Sequence, residues 1–173
     1  MTTDYELLDA QLSALLDNEP DPLAAASNFV ALLYNGIRDI NWLGIYVLRG
    51  DELVLGPFQG KPACVHIALD EGVCGAAAST LETQRVADVQ AFPGHIVCDP
   101  DSRSELVVPL IAHGQLIGVL DIDSPITRRF CGGSESVPLA DNPIRRALSR
   151  GGIAFAAGYR FSPVSSILPV STP

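Results

Sequence analysis

The feature that most restricts how this chain can fold is a change of hydrophobic period at Trp42. Before it, apolar residues recur at helical spacing. Leu7, Leu8, Leu12, Leu15 and Leu16 mark one stripe over residues 4–17, and Leu23, Ala26, Phe29, Val30, Leu33 and Ile37 mark a second over residues 22–38. Asp21 followed by Pro22 has the form of an N-cap with proline at the first helical position. From Trp42 the period is two: WLGIYVLR, a turn at Gly50–Asp51 and ELVLGPF predict a β-hairpin. A short strand over 63–68, one or two helical turns in EGVCGAAAS and a short strand around Gln84–Val86 follow. Leu106–Ala112 and Gln115–Asp121 then predict a second hairpin, turning at His113–Gly114. Residues 88–103 have no period and are rich in Pro, Gly, Asp and His, which predicts a long loop of the functional kind. Two helices followed by strands, with a helix-bearing crossover among them, make an α+β domain with a mostly antiparallel sheet.

The chain has 173 residues, enough for one domain of ordinary size and little room for two. With 47% hydrophobic and 18% charged residues it falls far from the composition of disordered proteins. The net charge of −9 is unevenly spread: residues 1–127 hold 18 acids and 5 bases, and residues 128–173 hold 2 acids and 6 arginines. An acidic body with one lysine is a poor match to nucleic acid, which is bound through Lys/Arg clusters. The N-terminus has acids where a signal peptide carries bases, and no run approaches the roughly 18 apolar residues of a membrane span. The expectation is a cytoplasmic protein, whose cysteines are then catalytic, redox-active or metal-binding rather than permanently bridged.

Cys64, Cys74 and Cys98 are the soft nucleophiles of the chain, and they lie in segments rich in Gly, Pro and acids: GPFQGKPACVHIALDEGVCG and FPGHIVCDPDSRSELVVPL. Together with Glu105, Asp121 and Asp123 they suit redox chemistry on a small polar molecule. Cys98 follows His95 in the long loop, near the Pro93–Gly94 turn, with Arg103 at hand to favour a thiolate. Asp121 and Asp123 are two apart on a strand and so face one side, and crowded carboxylates raise one another's pKa, which allows one to serve as an acid near neutral pH. Trp42 and Tyr46, four apart on a strand, also share a face. Cys131, in the last segment, is assigned no role. A zinc site made of Cys64, His66, His95 and Cys98 lacks the CxxC knuckle that would support it, and no metal is assigned.

From about Tyr5 to Phe130 the chain closely resembles the free methionine-(R)-sulfoxide reductases, a family built on the GAF fold. The resemblance rests on NWLGIYVL, LGPFQGKPAC, GVCG, DVQAFPGHIVCD, SRSELVVPL and IGVLDIDSP, in that order. It implies a six-stranded antiparallel sheet carrying helices, frequently a homodimer, which reduces the free amino acid with electrons from thioredoxin, supplied by NADPH through thioredoxin reductase. It implies Cys98 as nucleophile, Cys64 as the first choice and Cys74 as the second for the resolving thiol, and no bound cofactor. It also implies Glu105, Asp121 and Asp123 as the acids around the substrate ammonium and sulfoxide oxygen, and Trp42 and Tyr46 as walls around its thioether end. The amides of Gly72–Gly75 are where the substrate carboxylate would be received.

The sequence divides at residue 130, with a GAF-like catalytic domain over 1–130 and a divergent tail over 131–173. The tail has five prolines and almost no acid, and only Asn142–Arg150 in it has the pattern of a short helix. The family continues with an acidic amphipathic helix, and a shifted reading frame would produce a change of this kind. Two alternatives to an active reductase follow: a non-catalytic GAF module sensing a small ligand or redox state, or a reductase impaired by its altered C-terminus.

Overall fold

The computed structural model describes residues 3–17, 19–112 and 114–131. The elements in chain order are α1 (Tyr5–Leu16), α2 (Pro22–Gly36), β1 (Trp42–Arg49), β2 (Glu52–Gln59), β3 (His66–Ala68), α3 (Gly72–Thr80), β4 (Gln84–Val86), β5 (Ser104–Ala112) and β6 (Gln115–Ser124). Most of the tail, including the short helix expected at Asn142–Arg150, lies outside the described residues.

Local chemistry sets the element ends. Asp4 caps α1 by accepting from Leu7 N, and Asp21 caps α2 by accepting from the amides of Leu23 and Ala24, with Pro22 at the first position. The strands form one six-stranded antiparallel sheet in the order β3-β2-β1-β6-β5-β4. Pairing of β1 with β2 slips by a residue between Leu55 and Phe58, where Pro57, which has no N–H to give the ladder, is accommodated in a bulge.

Period-two alternation sends each strand's side chains into two separate cores. Leu43, Ile45 and Val47 of β1, Leu106, Val108 and Leu110 of β5, and Leu120 and Ile122 of β6 pack against α1 and α2, joined at the sheet's end by the fully buried Phe130. The alternate residues Trp42 and Tyr46 of β1, Val107 of β5 and Val119 of β6 pack against α3. The result is three layers, with α1 and α2 on one face of the sheet and α3 on the other.

The expected helical stripes need correction at three places. Leu8, Leu12 and Leu16 are buried at four-residue spacing, but Leu7 and Leu15 are exposed, and so is Leu23 of α2. A single layer of sheet beneath each helix covers a stripe narrower than the apolar one written in the sequence. The third strand begins at His66 rather than at 63, and Val65 contributes only its carbonyl, to Leu55 N. The loop over 88–103 contains one short helical turn at Val89–Ala91, capped by Asp88. Among the described residues no helix is long and apolar enough to cross a membrane.

Candidate active site

The face of the sheet that carries α3 also carries the chemistry. Glu105 of β5 lies opposite Asp123 of β6, which lies opposite Trp42 of β1, so the three stand in one row across three strands. The next row runs Val107, Asp121, Gly44. Gly44 is required there by close approach: a Cβ would collide with the Trp42 ring and with Phe58 Cβ. The indole lies over this gap, stacked on Phe58 at 5.5 Å between ring centres and on Tyr46 at 5.9 Å.

A cavity of about 40 Å³ opens between this face, the start of α3 and two loops. Asp121, Asp123, Glu105 and Cys74 form its polar floor, Trp42, Tyr46, Ile67 and Val73 its apolar wall, and Ala63, His95, Ile96 and Cys98 its roof. Gly72 opens α3 with φ of 62°, a left-handed turn that an L side chain resists, and no side chain caps the helix's first turn. The expected carboxylate receptor at Gly72–Gly75 is therefore narrowed to the first amides of α3, since Gly75 N already bonds to Glu71 O.

Cys64 and Cys98, the latter in the roof, are joined by a disulfide, with Cα atoms 5.6 Å apart and a separation of 34 positions in sequence. Cys74 is free and buried in the floor; Cys131 is free, half-buried and away from the cavity. His66 is turned outward, next to Glu52, so the four residues weighed for zinc are not gathered. Arg103 is exposed and does not line the cavity.

Among the described residues no lysine or arginine lines this cavity, so Glu105, Asp121 and Asp123 have no fixed counter-charge there. Burial, added to by the charges of Asp121 and Asp123, raises the Glu105 carboxyl well above the usual range. Burial raises Asp123 as well, and Asp121 is pushed up to about 7, with hydrogen bonds from Cys74 and Glu105 holding back a larger rise. The Cys74 thiol is pushed up, first by burial and then by Asp121 and Glu105, and so is neutral. His95 Nδ1 stands 4.0 Å from Glu105 Oε2, yet burial lowers its pKa. Asp121 Oδ1 is buried without a hydrogen-bond partner among the described residues. A floor of buried carboxyls with an unsatisfied acceptor and, among the described residues, no lysine or arginine beside it suits a cationic ligand.

Sequence reasoning missed the struts that hold the two cysteine loops. Trp42 Nε1 donates to Lys61 O at 3.0 Å and Tyr46 OH to Cys64 O at 3.0 Å, so both aromatic residues fix the Cys64 loop as well as wall the cavity. Buried Asp99, adjacent to Cys98, accepts from Asn41 Nδ2 at 3.1 Å, Asp101 N at 3.0 Å and Lys61 Nζ at 3.2 Å; Lys61 also pairs with Asp101. Burial alone would raise the Asp99 carboxyl, but these donors outweigh it and hold it below the usual range. Asn41, Lys61 and Asp99 all fall inside the motifs quoted above, where nothing local marks them as partners. Lys61→Ala is expected to slow closure of the Cys64–Cys98 disulfide by oxidised glutathione by about 2- to 5-fold, the worth of an exposed ion pair, with the difference fading in high salt. Alkylation-quenched time courses measure this, and equal rates at low salt would dismiss Lys61 as a strut.

A GAF fold with two thiols joined over buried carboxylates defines a class, that of thiol redox proteins built on a ligand-binding scaffold. The GAF domain family model matches residues 5–138. The chain is 52% identical over 126 residues to the free methionine-R-sulfoxide reductase of Escherichia coli, an alignment covering 73% of this chain and 76% of that one. It superposes on the reduced form of fRMsr of Staphylococcus aureus with a TM-score of 0.77 at 47% identity, covering 84% of this chain and 91% of that one. With the free methionine-R-sulfoxide reductase of Neisseria meningitidis, solved in complex with its substrate, the TM-score is 0.77 at 38% identity, covering 85% and 87%. The chain belongs to the free methionine-R-sulfoxide reductases of the GAF-domain family.

Proposed function

We propose that the protein reduces free L-methionine-(R)-sulfoxide to L-methionine. The observation that carries this reading is the Cys64–Cys98 pair, whose Cys98 lines the same cavity as the buried acids, since a ligand sensor needs the acids but not the paired thiols. The ammonium group of the substrate is received by Glu105, Asp121 and Asp123, the thioether end lies against Trp42 and Tyr46, and the carboxylate meets the free amides at the start of α3.

Cys98 as thiolate attacks the sulfoxide sulfur while a carboxyl of the floor, protonated near neutral pH, donates to the oxygen. The oxygen passes to Cys98 as a sulfenic acid and methionine leaves as the thioether. Cys64 displaces that oxygen as water, forming the disulfide, and an external dithiol of the thioredoxin type reduces it. Cys74, buried and held neutral, takes no part in either attack in this reading. The thioredoxin system, running on NADPH, fits a reducing compartment such as the cytoplasm. The homodimer implied by the family would offer exposed Leu7, Leu15 and Leu23 a partner.

The test is NADPH consumption by the purified full chain with thioredoxin and thioredoxin reductase, with each sulfoxide epimer supplied as the free amino acid. Turnover of the R epimer alone is expected. Absence of turnover by a folded chain that still binds methionine would return the protein to the sensor class, or to a reductase disabled by its tail.

A further inference from the structure

The Cys74 thiol is left unused by this chemistry, and Asp121, which serves the substrate ammonium, keeps an Oδ1 with no hydrogen-bond partner among the described residues. They are neighbours. Cys74 Sγ, a Glu105 carboxylate oxygen and an Asp121 carboxylate oxygen all lie within 4.8 Å of one another, and all three residues are buried, Asp121 with 7% of its surface exposed. One thiolate and two carboxylates form a mixed soft and hard donor set of the kind that suits zinc among the common divalent ions. Donors held at zinc's usual 2.0 to 2.3 Å stand about 3.5 Å apart, so side-chain shifts of about an ångström close the site. The fourth place falls to water: His95 Nδ1, though 4.0 Å from Glu105 Oε2, is not among the ligand atoms that lie mutually within 4.8 Å. The charge balance points the same way, because Asp123 adds a third carboxyl and, among the described residues, no lysine or arginine lines the cavity.

We propose that Cys74, Glu105 and Asp121 form a binding site for a borderline divalent cation, Zn²⁺ foremost, which competes with the substrate ammonium for the same carboxylates. Binding releases the Cys74 thiol proton, and any proton the two carboxyls hold, to solvent. Inhibition of the reductase by the ion rests on the function proposed above, whereas binding of the ion does not.

The experiment uses the full chain with the Cys64–Cys98 disulfide intact and Cys131→Ser, so that Cys74 is the one remaining thiol. Co²⁺ serves as the spectroscopic probe. One equivalent is expected to bind with a near-ultraviolet thiolate-to-cobalt charge-transfer band, which Zn²⁺ abolishes by displacement and which saturating free L-methionine also removes. Cys74→Ser should eliminate the band, and the isosteric Glu105→Gln should weaken binding by roughly 10- to 100-fold or more. The site is refuted by the absence of a charge-transfer band, or by Zn²⁺ binding in calorimetry that neither substitution diminishes. A cobalt band that methionine leaves untouched refutes the shared subsite. Because the disulfide form does not turn over, the cobalt band, its displacement by Zn²⁺ and its loss in the variants are independent of whether the reductase reading holds, whereas the methionine result tests the shared subsite, which rests on that reading.

Discussion

Cys98→Ser is expected to lower turnover of the R-sulfoxide on the order of 1,000-fold or more, because a serine hydroxyl neither ionises near neutral pH nor accepts the sulfoxide oxygen. Binding of methionine should survive, since Cys98 lies in the roof and the recognition groups lie in the floor and wall. Cys64→Ser should behave differently. One equivalent of methionine forms per chain, after which turnover with thioredoxin stalls on a sulfenic acid that dimedone traps. Rapid-quench counting of methionine separates the two cases. If the Cys64 variant cycles at the parent rate, Cys74 or an outside thiol performs the second step, and the disulfide in the roof is not on the reaction path.

The second large effect is expected at Asp121, where affinity and stability move in opposite directions. Asp121→Asn keeps the shape of the side chain but removes a charge from the ammonium subsite. A hydrogen bond to a charged group contributes about 1.5–3 kcal/mol, so KM for the sulfoxide should rise roughly 10- to 100-fold. The folded-state pKa of about 7 lies above the ordinary 3.8, so between those values the folded chain holds a proton that the unfolded chain has lost. This contribution to stability is fully present below about pH 3.8 and is lost as pH rises to about 7 and beyond. The substitution should therefore stabilise the protein at pH 8 by about 1–4 kcal/mol and flatten the fall in stability between pH 5 and pH 8. Urea unfolding at the two pH values measures the change, and Michaelis kinetics measures KM. An unaltered KM would remove Asp121 from substrate recognition, and a loss of stability at pH 8 would mean that its charge has a counter-ion after all.

Much of the fold was legible because two hydrophobic periods are written plainly in the chain. The strands from Trp42, from Glu52 and around Gln84–Val86 lie where alternation put them, and Asp21–Pro22 starts α2 as its capping chemistry requires. Leu7, Leu15 and Leu23 were misassigned because periodicity reports how much of a helix is apolar, not how much of it a neighbour covers. The short helical turn at Val89–Ala91 has no period of its own and is held by the Asp88 cap, a local contact that hydrophobic patterning does not register.

The sequence by itself determined which faces exist. Alternation alone places Trp42 with Tyr46, and Asp121 with Asp123, on common sides of their strands, and the spacing of motifs identifies the residue types available for redox chemistry. Only the tertiary structure decided how those faces meet. Strand register brings Glu105, Asp123 and Trp42 into one row, and sheet order sets β5, β6 and β1 side by side although β1 is distant from the others in the chain. Chain folding also joins Cys64 to Cys98 across 34 residues while α3 carries Cys74 down into the acids. The physical reason is range. Side-chain periodicity is fixed by backbone geometry within a few residues, whereas the pKa of a carboxyl and the partner of a thiol depend on what long-range packing places beside them and on how much water it removes.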